Sequence, residues 1–244
     1  MKPEITVVPD SAALFQASAN EFLRALDEAV RAKGHFDVAL SGGSTPKGLF
    51  TLLAGKPGLP WDRVRFFWGD ERHVPPDHAD SNYRMANEAL LSKIGARPEQ
   101  VWRMKGENPD AAAAATDYEG QLREYFASGA GQFPRFDLVL LGMGPDGHTA
   151  SLFPGTRALG EFERLVVSNW VGKFYTDRIT FTAPLLNAAA TVLFMVGGAD
   201  KAPALKAVLE GPYEPAQLPS QMIRPEQGRL VWLIDSAAGA MLKS

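Results

Sequence analysis

Six short apolar runs, separated by stretches with helical spacing, constrain the fold of this chain more than any other feature. They occupy 5–8, 36–40, 64–68, 136–143, 191–196 and 230–234. Several are apolar at successive positions instead of alternating, the pattern of strands covered on both faces, which points to a parallel sheet. Between the first two runs, Asp10 or Ser11 can cap a helix that carries Phe15, Ala19, Phe22, Leu26 and Val30 on one face and is closed by Gly34. Further helices are expected over 46–53, 81–93, 110–127 and 201–209, the last stopped by Gly211 and Pro212. The alanine run 111–115 belongs to such an outer helix and is not a linker. Strands alternating with helices predict an α/β fold, a doubly wound and mainly parallel sheet with helices on both faces. No Pro/Gly/Ser linker, long charge run or composition break interrupts the 244 residues, so one domain over 1–244 is the simplest division.

The formal net charge of -3 argues against a nucleic acid or an anionic membrane as the main partner. An anionic ligand must therefore be met by basic residues gathered locally. The absence of cysteine excludes disulfides, thiolate nucleophiles and cysteine-bound zinc, which leaves carboxylates and four histidines as metal ligands. The first residues lack the apolar stretch of a signal peptide, and the other apolar runs are strand-length, so a cytoplasmic location is expected. A monomer is expected, with room for weak self-association.

Ligands of doubly wound sheets sit outside the carboxyl ends of the strands, and three loops at such ends hold the unusual chemistry. The first is Ser41-Gly42-Gly43-Ser44-Thr45-Pro46, which leads into a helix. Its glycines allow close backbone approach, its hydroxyls can donate, and a helix N-terminus offers free N–H groups, the ingredients of a phosphate cradle. A Gly-rich turn with Ser44 or Thr45 as N-cap and Pro46 at the first helical position fits the same residues. A Walker loop is absent, so a nucleoside triphosphate is not indicated.

The second loop, Gly69-Asp70-Glu71-Arg72-His73-Val74-Pro75, offers carboxylates to orient a hydroxyl or a catalytic group, and a guanidinium for phosphate or carboxylate. A charged surface loop has the same composition. His73, Asp77, His78 and Asp80 invite a metal reading, but two prolines among them leave the ligand geometry undefined, and no metal is expected.

The third loop runs Gly142-Met143-Gly144-Pro145-Asp146-Gly147-His148-Thr149. It satisfies Gly-x-Gly-x-x-Gly, the dinucleotide fingerprint, but the apolar segment 165–170 taken as the next strand carries no ribose-binding acid. Pro145 and Asp146 would also set an anion against pyrophosphate. His148 stands two residues from Asp146, and a loop histidine beside a carboxylate is suited to proton transfer near neutral pH. A lone histidine is more often structural, and only the strand end, the glycines and the acid favour the catalytic reading.

Together these loops resemble the 6-phosphogluconolactonase family, from about Leu40 to Leu242. The matching segments are 41–46, 68–72 and 144–154, followed by Arg178-Ile179-Thr180-Phe181-Thr182 with 184–188, and by Gly197-Gly198-Ala199-Asp200-Lys201-Ala202. The resemblance implies the fold shared by glucosamine-6-phosphate deaminases and ribose-5-phosphate isomerases. It implies hydrolysis of 6-phosphogluconolactone, the second step of the oxidative pentose phosphate pathway, with a small-molecule phosphosugar lactone as partner; no cofactor is expected. By motif position His148 would be the base, with Asp146 and Asp70 orienting it or the substrate. Gly42, Gly43, Ser44, Thr45, Arg72, Gly147, Arg178 and Lys201 would surround the phosphate and sugar groups. Backbone N–H groups of the 144–148 loop or Arg178 would meet the carbonyl oxygen.

Two other readings remain. An amino-sugar phosphate deaminase would carry a carboxylate five residues after the histidine, where this chain has Phe153. A non-catalytic sugar-phosphate sensor would need a partner or DNA-binding segment, for which no basic stretch is spare. Gly-x-Ser-x-Gly occurs nowhere, so water and not serine is the expected nucleophile.

Overall fold

The computed structural model describes residues 2–243, so the two end positions of the 1–244 expectation lie outside the described residues. Nine strands form there: β1 (Glu4–Val8), β2 (Phe36–Leu40), β3 (Val64–Trp68), β4 (Asp70–Arg72), β5 (Leu138–Leu141), β6 (Val166–Val171), β7 (Thr176–Phe181), β8 (Thr191–Val196) and β9 (Arg229–Asp235). The six apolar runs supply β1, β2, β3, β5, β8 and β9, which pair in parallel in the order β1-β9-β8-β5-β2-β3. Alternate residues of each strand serve opposite faces. In β5, Leu138 and Leu140 join one apolar cluster, while Val139 and Leu141 join the other.

Helices cover both faces. On one lie α1 (Ser11–Lys33), α2 (Ser44–Ala54) and the helical stretch α3 (Asn82–Ala86) to α4 (Ser92–Ile94), which pack around Phe22, Phe36, Phe50, Phe66 and Trp68. The other face receives α5 (Ala111–Tyr125), α6 (Ala183–Asn187) and α7 (Ala202–Glu210). Burying each large apolar side chain contributes roughly 1.5–3 kcal/mol, so the two clusters fix the sheet between them.

The caps follow the sequence. Asp10 accepts from the amide of Ala13, and Gly34 ends α1 in the left-handed region at φ 83°. The buried stripe of α1 is centred one residue away from the expected face. Leu14, Ser18, Ala25 and Ala29 are buried with Ala19, Phe22 and Leu26, whereas Phe15 and Val30 are half-exposed. The helix expected over 81–93 runs without a gap from α3 to α4 but contains a π-helical turn, Asn87–Leu91.

A second sheet was not foreseen. Strands β4, β7 and β6 pair antiparallel and pack on the α5 side. This revises the context of the segment 165–170: it enters the small sheet as β6, and the next strand of the main sheet after β5 is β8.

The sheet reverses its order between β2 and β5. From β2 the chain moves to β3 on one side, and from β5 it moves to β8 and β9 on the other. Loops leaving β2 and β5 therefore diverge and open a crevice at the strands' carboxyl ends.

Candidate active site

That crevice is a cleft of about 230 Å³. Its wall is built by 41–46 after β2, by Asp70, Arg72 and Asn82, by 142–145 with His148 and Ala150 after β5, and by Met195, Gly197 and Lys201 after β8. Of the residues singled out from sequence, Gly42, Gly43, Ser44, Thr45, Asp70, Arg72, His148 and Lys201 meet there. Asp146, Gly147 and Arg178 do not line it, but Asp146 bonds His148 and Arg178 lies opposite Arg72, both of which do.

Gly43, not Ser44 or Thr45, is the N-cap of α2. It adopts φ 104°, which favours glycine, and no side chain caps the helix. Ser44 and Thr45 become the first two helical residues and Pro46 the third, so the hydroxyls are not consumed in capping. The capping alternative for this loop is thereby overturned, and the first turn, whose residues line the cleft, has no side chain capping its N–H groups. Gly42 is required by contact: a Cβ there would stand 1.8 Å from Asn82 Oδ1.

Asp70 is buried yet held from two elements. Asn82 Nδ2 donates to its main-chain oxygen at 2.9 Å and to Oδ1 at 3.3 Å, and Ser151 Oγ donates to Oδ2 at 2.7 Å. Glu71 instead serves the fold. Its carboxylate accepts from the amides of Arg72, Asn82 and Tyr83 and from Ser81 Oγ, which ties β4 to the start of α3. Burial raises its carboxyl above the ordinary range, against the pull of those amides.

Arg72 and Arg178 face one another across β4 and β7. Each has a buried Nε without a hydrogen-bond partner among the described residues. Burial first, and then the neighbouring Arg72, pull the Arg178 guanidinium below its ordinary value. Two like charges placed directly opposite are unfavourable unless an anion joins them. Lys201 joins Arg72 as a second cation on the cleft wall, beside Asp200 at 2.8 Å.

On the far wall His148 Nδ1 bonds Asp146 Oδ1. The hydrogen bond from the imidazole, opposed by burial and aided by Lys173, holds Asp146 well below the usual carboxylate range. An ionised carboxylate only accepts, so Nδ1 of the neutral ring carries the proton and Nε2 offers its lone pair. Nε2 has no protein partner among the described residues. The ring rests where Gly144 lacks a side chain and stacks on Phe153 at 4.0 Å between centroids.

The glycine-rich loop does not lead into a helix. It closes on itself through Gly144 N to the His148 carbonyl and Gly147 N to the Gly144 carbonyl, and an isolated bridge joins Thr149 to Leu152. A dinucleotide fingerprint needs the helix that is missing here. The same turn uses the amides of Gly144 and Gly147, and the His148 amide reaches Asp146 at 3.3 Å, so these three are not free for a carbonyl oxygen. Gly147 turns toward Leu218 at φ 76°, and its carbonyl accepts from Ser220.

His73 and His78 are occupied locally, by the Asn108 carbonyl at 2.5 Å and the Asp80 amide at 3.1 Å. Among the described residues no cluster of three or more His, Asp or Glu is arranged to hold a metal ion, and no helix is long and apolar enough to cross a membrane.

A family model described as glucosamine-6-phosphate isomerases/6-phosphogluconolactonase matches residues 9–232. The chain belongs to this family. A 6-phosphogluconolactonase of Nostoc sp. is 47% identical over 99% of both chains, and one of Synechocystis sp. is 42% identical over 100% of both. Among solved structures, the 6-phosphogluconolactonase of Trypanosoma cruzi superposes with a TM-score of 0.89 at 30% identity, covering 100% of this chain and 98% of that one. The Trypanosoma brucei enzyme gives 0.87 at 29% identity, covering 99% of each. Asn82, Ala150, Met195 and Gly197 line the cleft without being marked as site residues by the sequence. Ala150 at φ 47° and the close contacts of Gly42 and Gly144 are tertiary facts with no local signature.

Proposed function

We propose that the chain hydrolyses 6-phospho-D-glucono-1,5-lactone to 6-phospho-D-gluconate, with His148 as general base. The observation that carries this reading is the acceptor-only Asp146, which fixes the proton on Nδ1 and leaves the Nε2 lone pair of a cleft-wall imidazole for water. The names of the full-length relatives in Nostoc and Synechocystis support the substrate class.

His148 Nε2 takes a proton from water as the water oxygen bonds C1. The resulting alkoxide collapses, the bond from C1 to the ring oxygen breaks, and the imidazolium returns its proton to that oxygen as the 5-hydroxyl. The acid then loses its proton to solvent. Acid–base help of this kind contributes about 10²- to 10⁴-fold. The open N-terminus of α2, with Arg72 and Lys201, would hold the phosphate and so fix C1 against the imidazole. Arg178 reinforces that field from behind Arg72.

Phe153 favours the lactonase over the deaminase reading. It stacks on His148 where the deaminase pattern would set a carboxylate. The test is a pair of coupled assays on one preparation. Hydrolysis of 6-phosphogluconolactone without ammonia release from glucosamine 6-phosphate is expected. Ammonia release with no lactone hydrolysis would overturn the proposal.

A further inference from the structure

We propose that Lys173, in the turn between β6 and β7, is a positioning residue that steadies Asp146 and through it the imidazole of His148. The inference rests on His148 being the base. Asp146 is a two-oxygen acceptor on a rotatable bond. Oδ1 holds His148 Nδ1, while Lys173 Nζ lies 3.2 Å from Oδ2. With the second oxygen held, the carboxylate cannot swing its first away from the ring, and the tautomer that exposes Nε2 is kept.

The hairpin also reaches the dyad through packing. Phe174 meets Phe153 edge-on at 5.7 Å, and Phe153 stacks on His148. Arg178 and Lys173 both lie over the Phe174 ring, at 5.2 and 5.5 Å, so the turn is clamped between cations and aromatic faces. One segment, 172–175, thus touches both members of the dyad, one by charge and the other through an intervening ring. Tyr175, at the end of that turn, is 85% exposed at φ 54° and meets Trp170 instead.

Lys173 has a charge effect as well. The charged groups around the imidazole are Asp146 and Lys173 on its Nδ1 side, Asp70, Arg72 and Lys201 on the cleft wall, and Arg178 on β7. Removing one cation leaves the surroundings of the dyad more negative, which moves the acid limb of the rate profile upward. Lys173 is more than half exposed, so water screens much of this, and a shift of about 0.2–0.6 pH unit is the expected size.

The experiment compares the full-length wild type with Lys173→Met, Lys173→Arg and His148→Ala in lactone hydrolysis, as kcat, KM and the pH profile of kcat/KM. For Lys173→Met the expected result is a fall in kcat of about 3- to 10-fold with KM within about twofold, and an acid limb moved upward by the shift given above. Lys173→Arg should restore most of both. Wild-type kcat or an unmoved acid limb in Lys173→Met would overturn the inference, as would a rise in KM alone, which would make Lys173 a substrate contact. The two readings fail separately. An active His148→Ala enzyme removes the base assignment, whereas an unshifted Lys173→Met profile removes the role of the hairpin even with His148 essential.

Discussion

Gly144 leaves the space that the imidazole of His148 fills: a Cβ at position 144 would stand 2.0 Å from both Cε1 and Nδ1 of the ring, and 2.8 Å from Asp146 Oδ1. The absence of a side chain there is therefore part of the dyad's geometry. Any substitution must push the ring, the carboxylate or both.

Gly144→Ala should lower kcat by about 10²-fold, because a displacement on the scale of 1 Å costs that much when a reacting pair must be aligned. The loop is otherwise secured by its own hydrogen bonds, so the thermal unfolding midpoint should fall only slightly. Steady-state kinetics and a melting curve on the same sample check this. Near-normal turnover would show that the ring does not need its present place.

The pair Arg72 and Arg178 predicts opposite effects on binding and stability. Arg178→Met removes one of two facing cations and keeps most of the apolar stem against Phe174. KM should rise about 2- to 10-fold, because the positive field that reaches the phosphate through Arg72 weakens, with kcat little changed. Without ligand the variant should melt no lower than wild type, because a like-charge contact has gone. Inorganic phosphate should raise the melting temperature of wild type more than that of the variant. Equal responses to phosphate would contradict this account of the pair.

At the other end of β2, Lys33 bridges the buried Asp37 and, at 2.9 Å, Asp137, while Tyr125 OH donates to Asp37 at 2.7 Å. Burial opposes the ammonium, but the two carboxylates outweigh it and raise Lys33 above the ordinary lysine value. A group whose value is raised by folding adds stability that is fully present below its unfolded value, near about 10.4, and lost as pH rises through the folded one. Lys33→Met should therefore cost about 1–3 kcal/mol at pH 7, discounted for the lysine's partial exposure. Its decline above about pH 10.4 should also be shallower than that of wild type. Urea unfolding at pH 7 and at pH 11 measures both; equal stability at pH 7 would refute the bridge.

The main sheet was legible because all six of its strands contain apolar runs, five of them largely buried on both faces, while β1 at the edge is mostly exposed. The small sheet was not. Strand β4 is Asp70-Glu71-Arg72, three charged residues whose partner β7 lies about a hundred positions away, and β6 and β7 mix Asn169, Asp177 and Arg178 with apolar residues. Pairing of that kind is decided by tertiary contact and not by local pattern. The cleft was legible where chemistry is marked by residue type, as at Asp70, Arg72, His148 and Lys201. It was hidden where space decides. Asn82 reads as a helix-start residue until it is found against Gly42 and Asp70, and Gly147 reads as a cleft glycine until it is found against Leu218. Ser44 was ambiguous because a capping hydroxyl and a free one share the same sequence, and only the cap at Gly43 separates them.

The most direct test of the whole account is kcat for His148→Ala on 6-phosphogluconolactone, corrected for spontaneous hydrolysis, beside KM for the same substrate. The account predicts a fall of at least about 10²-fold in kcat with KM changed only a few-fold, because the imidazole moves the proton while other groups hold the phosphate. A variant that turns over the lactone at the wild-type rate would contradict it.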